Sequence, residues 1–160
     1  MKLILRMFSW KSSLLLSVIV LLLLIVFSFY GLYTNKFYIF KFDNYIFPLL
    51  TLVHFTYLYV LWFKIRENEL TDPQMRNLEF ALYILFFIYI FRFFDTLFIL
   101  KSYSDFESYV IPVTFIPMGL LILFLYASLL GLTLITFKHR NKLVGHYRFN
   151  SMNDQMDSWE

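Results

Sequence analysis

Apolar residues run in long blocks along this chain, and the charged residues fall in the gaps between them. Residues 12–35, 44–63 and 108–137 carry no charge, and 80–100 is broken only by Arg92 and Asp95. A helix rises about 1.5 Å per residue, so about 20 apolar residues cross the hydrocarbon core of a bilayer. Each block is long enough. The pattern predicts an all-α membrane protein whose four transmembrane helices cover about 13–33, 45–64, 79–100 and 111–137 in an antiparallel bundle. Residues 1–137 form the transmembrane domain, and 138–160 form a short cytoplasmic tail, first basic and then amphipathic.

Turn and cap residues refine these limits. Pro48 falls in the first turn of the second span, where its missing N–H costs little. In Thr71-Asp72-Pro73, Thr71 or Asp72 is placed to cap and Pro73 suits a first helical position, so the third helix is expected to start before Glu79. Pro112 and Pro117 lie in the outer third of the fourth span and are expected to kink it, with a gating hinge as the sharper alternative. Ala127 and Gly131 form a small-xxx-small pair that would admit one close helix contact. No internal repeat is visible.

Composition agrees with the pattern. The chain is 60% hydrophobic, more than a soluble domain of 160 residues has core to bury, whereas a bilayer supplies the apolar surroundings. It holds 21 Phe and 12 Tyr, residues favoured by codons rich in A and T, against four glycines. The helices are therefore expected to pack through bulky side chains. Rings at Phe29, Tyr30, Tyr33, Phe37, Tyr38 and Tyr45 read as an aromatic belt at the headgroup level. The absence of cysteine excludes disulfides, thiol redox chemistry and thiolate metal sites.

The charge between the blocks gives an orientation. Lys2, Arg6, Lys11, Lys64, Arg66, Arg76, Lys138, Arg140, Lys142 and Arg148 fall on one side, and Lys36, Lys41 and Lys101 on the other. Positive loops stay inside, so both termini are expected in the cytoplasm, in a bacterial cytoplasmic (inner) membrane. The first apolar run resembles a signal peptide with Val26-Phe27-Ser28 as a cleavage pattern. It continues well past that point, which favours an uncleaved anchor. Because the net charge of +3 is spread between apolar runs, nucleic acid is not an expected partner.

Ionisable groups deep in a span are costly and mark packing or function. His54, Arg92 and Asp95 are the three, with Thr96 on the same helix side as the Arg92–Asp95 pair. From the helical rise, Arg92 lies roughly 12 Å and His54 roughly 15 Å from the outer boundary. Ser28, Thr51, Thr114 and Pro117 fall in the same half, so a polar pocket opening to the non-cytoplasmic side is expected. Its alternatives are a self-neutralised pair that fixes packing, a site for an anionic headgroup, quinone-like ligand or partner helix, and a proton or ion path. A lone intramembrane histidine disfavours haem, and no metal or cofactor is expected. Neither a Ser–His set in a Gly-rich setting nor His-Glu-x-x-His is present, so an enzyme is not expected.

Beyond the last span, residues 138–148 hold four basic side chains and no acid, a collar suited to anionic lipid, with His139 and His146 expected to be solvated. Ser151 to Asp154 reads as a capping box, and Phe149, Met152, Met156 and Trp159 recur at helical spacing. So short a helix persists only when docked, and a partner protein is the expected surface. Together these features point to an accessory or assembly subunit of a larger membrane complex, whose partners are the bilayer and another membrane protein. The alternative is a small transporter or proton/ion-handling protein built on His54, Arg92 and Asp95.

Overall fold

The computed structural model of the chain describes residues 9–105 and 111–147, and these are mostly helical. Four long helices, α1 (Trp10–Ser28), α2 (Ile46–Glu67), α3 (Pro73–Lys101) and α4 (Phe115–Leu143), are each long and apolar enough to cross a membrane. Between α1 and α2 lie β1 (Tyr30–Gly31), β2 (Lys36–Phe37) and a 3-10 turn, Phe42–Tyr45. A second 3-10 turn, Ser102–Asp105, follows α3. The expected tail contacts of Phe149, Met152, Met156 and Trp159 lie outside the described residues.

Local chemistry sets the ends. Ser9 caps α1 by accepting the Ser12 N–H at 3.2 Å. Asp72 caps α3 by accepting the Met75 N–H at 2.7 Å, with Pro73 at the first helical position, so this helix starts seven residues before the apolar block at 80–100. Asn68 ends α2 in the left-handed region (φ 54°), which an amide side chain tolerates better than most. The first span is corrected most: α1 stops at Ser28, not near residue 33. There the Ser28 hydroxyl turns to the carbonyls of Ile25 (2.7 Å) and Asn44 (3.2 Å), and the chain enters a hairpin pairing Tyr30 with Phe37 and Gly31 with Lys36. Hydropathy alone does not separate apolar helix from apolar hairpin; Gly31 and the Thr34-Asn35 turn do.

The prolines also differ from expectation. Pro112 precedes α4 and Pro117 is its third residue. The first four N–H groups of a helix have no intrahelical partner, so Pro117 at this position removes no helical bond. At its other end α4 runs on to Leu143, so the boundary drawn at 137/138 falls inside a helix.

α1 lies against α4 and α2, while α3 lies against α4 and α2. Their shared core includes Leu21 and Leu24, Leu58 and Leu61, Leu82 and Leu85, and Leu125 and Leu129. Gly119 allows one close approach, since a Cβ there would stand 2.5 Å from the Leu100 side chain. Gly131 and Ala127 face outward, and a Cβ at Gly131 would meet no described residue within 4 Å, because α4 turns Leu125, Leu129 and Leu132 inward instead. Two ends result. At the aromatic end Tyr33 bonds Ser102 at 2.9 Å, and the rings of Tyr33 and Tyr103 meet Phe115. At the ionic end the α2–α3 connection meets the end of α4, where the Thr71 hydroxyl donates to the His146 carbonyl at 3.2 Å.

Candidate functional site

Two polar centres sit inside this frame, one towards each end. Sequence reasoning reached only the one towards the aromatic end.

There, all four helices and the loop before α2 enclose a cavity of about 200 Å³. Arg92, Asp95 and Thr96 from α3 line it, with Ser28, Asp43, Asn44, Phe47 and Tyr126. Arg92 and Asp95 share a face because they are three apart on a helix. Their contact is long: Arg92 Nη1 to Asp95 Oδ2 is 3.8 Å, and the side chains are 41% and 40% exposed. Thr96 donates its hydroxyl to the Arg92 carbonyl at 2.9 Å, which occupies its proton.

His54 lies elsewhere. It is fully buried, with Nδ1 3.1 Å from the Tyr89 hydroxyl and its ring stacked on Tyr89. Nε2 has no hydrogen-bond partner among the described residues. Phe47 forms the partition, lining the cavity and meeting the rings of both Tyr89 and Tyr126. Of the residues expected to share one polar level, Ser28 joins Arg92, Asp95 and Thr96 in the cavity wall. Thr51 instead bonds its own helix at the Pro48 carbonyl, 2.7 Å away, and Thr114 precedes α4.

The second centre is at the ionic end. Glu79 is 1% exposed, and Arg140 Nη2 reaches its Oε1 at 2.7 Å. Tyr83 donates to Oε1 at 2.7 Å and Tyr147 to Oε2 at 2.5 Å. Arg140 also donates to the Gly145 carbonyl at 3.0 Å and to Asn141 Oδ1 at 2.6 Å, while its guanidinium stands over the Tyr147 ring. Burial and the bond to Glu79 both raise the pKa of the Tyr147 phenol, keeping it neutral and donating. Beside this network Lys64 joins Glu69 at 2.8 Å and Asp72 at 2.7 Å. Burial opposes ionisation of Asp72, but the bonds from Lys64 and the Met75 N–H outweigh it and hold the carboxyl below its usual range.

This network corrects the picture of a solvated basic tail. His139 and Arg140 are both buried, because they lie on the last turns of α4 and not beyond it. One signal was available: Thr133, Thr136 and Arg140 recur at helical spacing, and continuing the helix past the apolar block places all three on one face.

Among the described residues no group of three His, Cys, Asp or Glu side chains is placed to hold a metal ion. Chemically, the closed network ties α3 to the end of α4, whereas the open pair presents opposite charges to an accessible space. Comparison with protein-family models, with curated proteins and with solved structures finds no match. Four membrane-capable helices define the class to which the chain conforms, a small integral membrane protein.

Proposed function

We propose that this is a multi-pass membrane protein, its helices an antiparallel bundle with both termini in the cytoplasm, that serves as an accessory or assembly subunit of a larger membrane complex. One observation carries the proposal. Phe80, Ile84, Phe87, Phe91, Phe94 and Phe98 are between 56% and 71% exposed and form a single stripe along α3. Their alternating steps of four and three make an a/d seam, the spacing that a second helix fits. α3 is also the least covered of the helices: 22% of its most apolar stretch is buried, against 33%, 33% and 44% for the others. Phenylalanine rings give large contact area with few torsions to freeze, which favours protein contact over a purely lipid-facing role.

The test is a photo-crosslinking residue at position 91, in native membranes, with position 22 on the exposed face of α1 as control. A defined protein adduct from 91 alone is expected. Adducts to lipid only, at both positions, would remove the proposal. The orientation is tested by single cysteines, which the cysteine-free chain permits: Phe40→Cys should label from outside intact cells and Leu70→Cys only after permeabilisation.

A second reading has its own observation, the cavity at Arg92 and Asp95. Under it the protein moves a small polar species or a proton. Reconstituted flux that disappears in Asp95→Asn is its expected signature, and silence in flux assays across ions and small polar solutes would discard it.

A further inference from the structure

The wall of the cavity at the aromatic end carries one guanidinium, Arg92, and two carboxylates, Asp95 on the same face of α3 and Asp43 from the loop. Its volume of about 200 Å³ corresponds to several waters, each occupying about 30 Å³ in the liquid. Two oppositely charged groups sharing a recess inside an apolar protein gain most by closing to direct contact. Glu79 and Arg140 do so at 2.7 Å, and Arg92 and Asp95 stop at 3.8 Å with both side chains two-fifths exposed. Asp43 lies at the rim of the cavity, its side chain 76% exposed and 3.8 Å from Lys41, so the charges within the recess are those of Arg92 and Asp95. Hydrogen-bonding capacity of both signs is therefore left facing one small space.

We propose that this cavity is a binding site for a zwitterion, a small molecule or headgroup bearing a primary ammonium and a carboxylate or phosphate a few ångströms apart. The anionic oxygens engage Arg92, whose planar fork suits carboxylate and phosphate alike. The ammonium engages Asp95, with Asp43 adding attraction at the loop side. A simple anion would face the Asp95 carboxylate, and a simple cation would face the guanidinium. Only a ligand carrying both charges leaves neither group opposed. Phe47 and Tyr126 supply the apolar and phenolic walls. The inference holds under either reading of function, because it requires binding and not flux.

Two sources share this chemistry, a free amino-acid-like solute and a phosphoethanolamine lipid headgroup. The experiment uses the full chain in nanodiscs of phosphatidylglycerol, titrated with glycine and with O-phosphoethanolamine. In parallel, native mass spectrometry follows retention of phosphatidylethanolamine from mixed nanodiscs. Saturable binding of either soluble probe, or selective retention of the lipid, is expected and identifies the source. Arg92→Gln and Asp95→Asn should each weaken it at least ten-fold, and Asp43→Asn, a change in the loop, about two- to five-fold. Acetate, phosphate and ethanolamine, which carry half of the charge pattern, should bind at least ten-fold more weakly than the zwitterions. Equal binding of phosphate and O-phosphoethanolamine would overturn the proposal in favour of a plain anion site. Absence of binding by every probe and lipid to the folded wild-type chain would overturn it outright.

Discussion

Glu79–Arg140 and Arg92–Asp95 are both acid–base pairs associated with α3, yet they are built in opposite ways. The first joins two helices, is almost wholly buried, and has both carboxylate oxygens occupied by Arg140, Tyr83 and Tyr147. The second stays on one helix, stands 3.8 Å apart and borders a cavity. A buried charge is tolerable when an opposite charge and hydrogen bonds compensate it, and breaking such a pair leaves an uncompensated ion. An open pair carries no such penalty, because water or a ligand completes it. Burial and a carboxylate with both oxygens occupied thus separate a structural pair from one available for binding, even where the residue types match.

The contrast can be broken from its strong side first. Glu79→Ala or Arg140→Ala should each destabilise the protein by about 3–5 kcal/mol. Replacing both with Leu and Met should recover most of that loss, read as melting temperature in one detergent. Tyr147→Phe removes one charge-assisted bond from the same carboxylate and should cost about 1.5–3 kcal/mol. Asp72→Ala loses a helix cap and a Lys64 partner, at about 1 kcal/mol. The Asp72 carboxyl is held below its ordinary pKa in the folded state. Its contribution is therefore complete above the unfolded-state value of about 4 and declines as pH falls through the folded one. Acid melting curves of wild type and Asp72→Asn should converge below that range. The smallest effect is expected at the open pair, where Arg92→Gln should change stability by no more than about 1 kcal/mol.

Much of the helical framework was legible because charge-free length is a physical requirement of crossing a bilayer. The Asp72-Pro73 start was equally legible, since cap and proline chemistry is local. The Arg92–Asp95 pair could be found because its members are three residues apart. Glu79 and Arg140 are separated by 61 positions, and nothing in the sequence pairs them until α4 is known to continue through Arg140. Hydropathy does not mark the end of α1, because the charge-free run continues to Asn35; Gly31 and Thr34-Asn35 are the turn signals within it, and the pairing of Tyr30 with Phe37 makes the hairpin. His54 matched Arg92 in depth, but depth carries no azimuth, and the ring points towards Tyr89 instead of the cavity.

The most direct test of the difference between the two ends is a paired melting measurement of Glu79→Gln and Arg92→Gln, made in the same detergent and at the same pH. The expected result is a large drop in melting temperature for Glu79→Gln and near-wild-type melting for Arg92→Gln. Equal losses in the two variants would contradict the assignment, making the open pair as structural as the closed one.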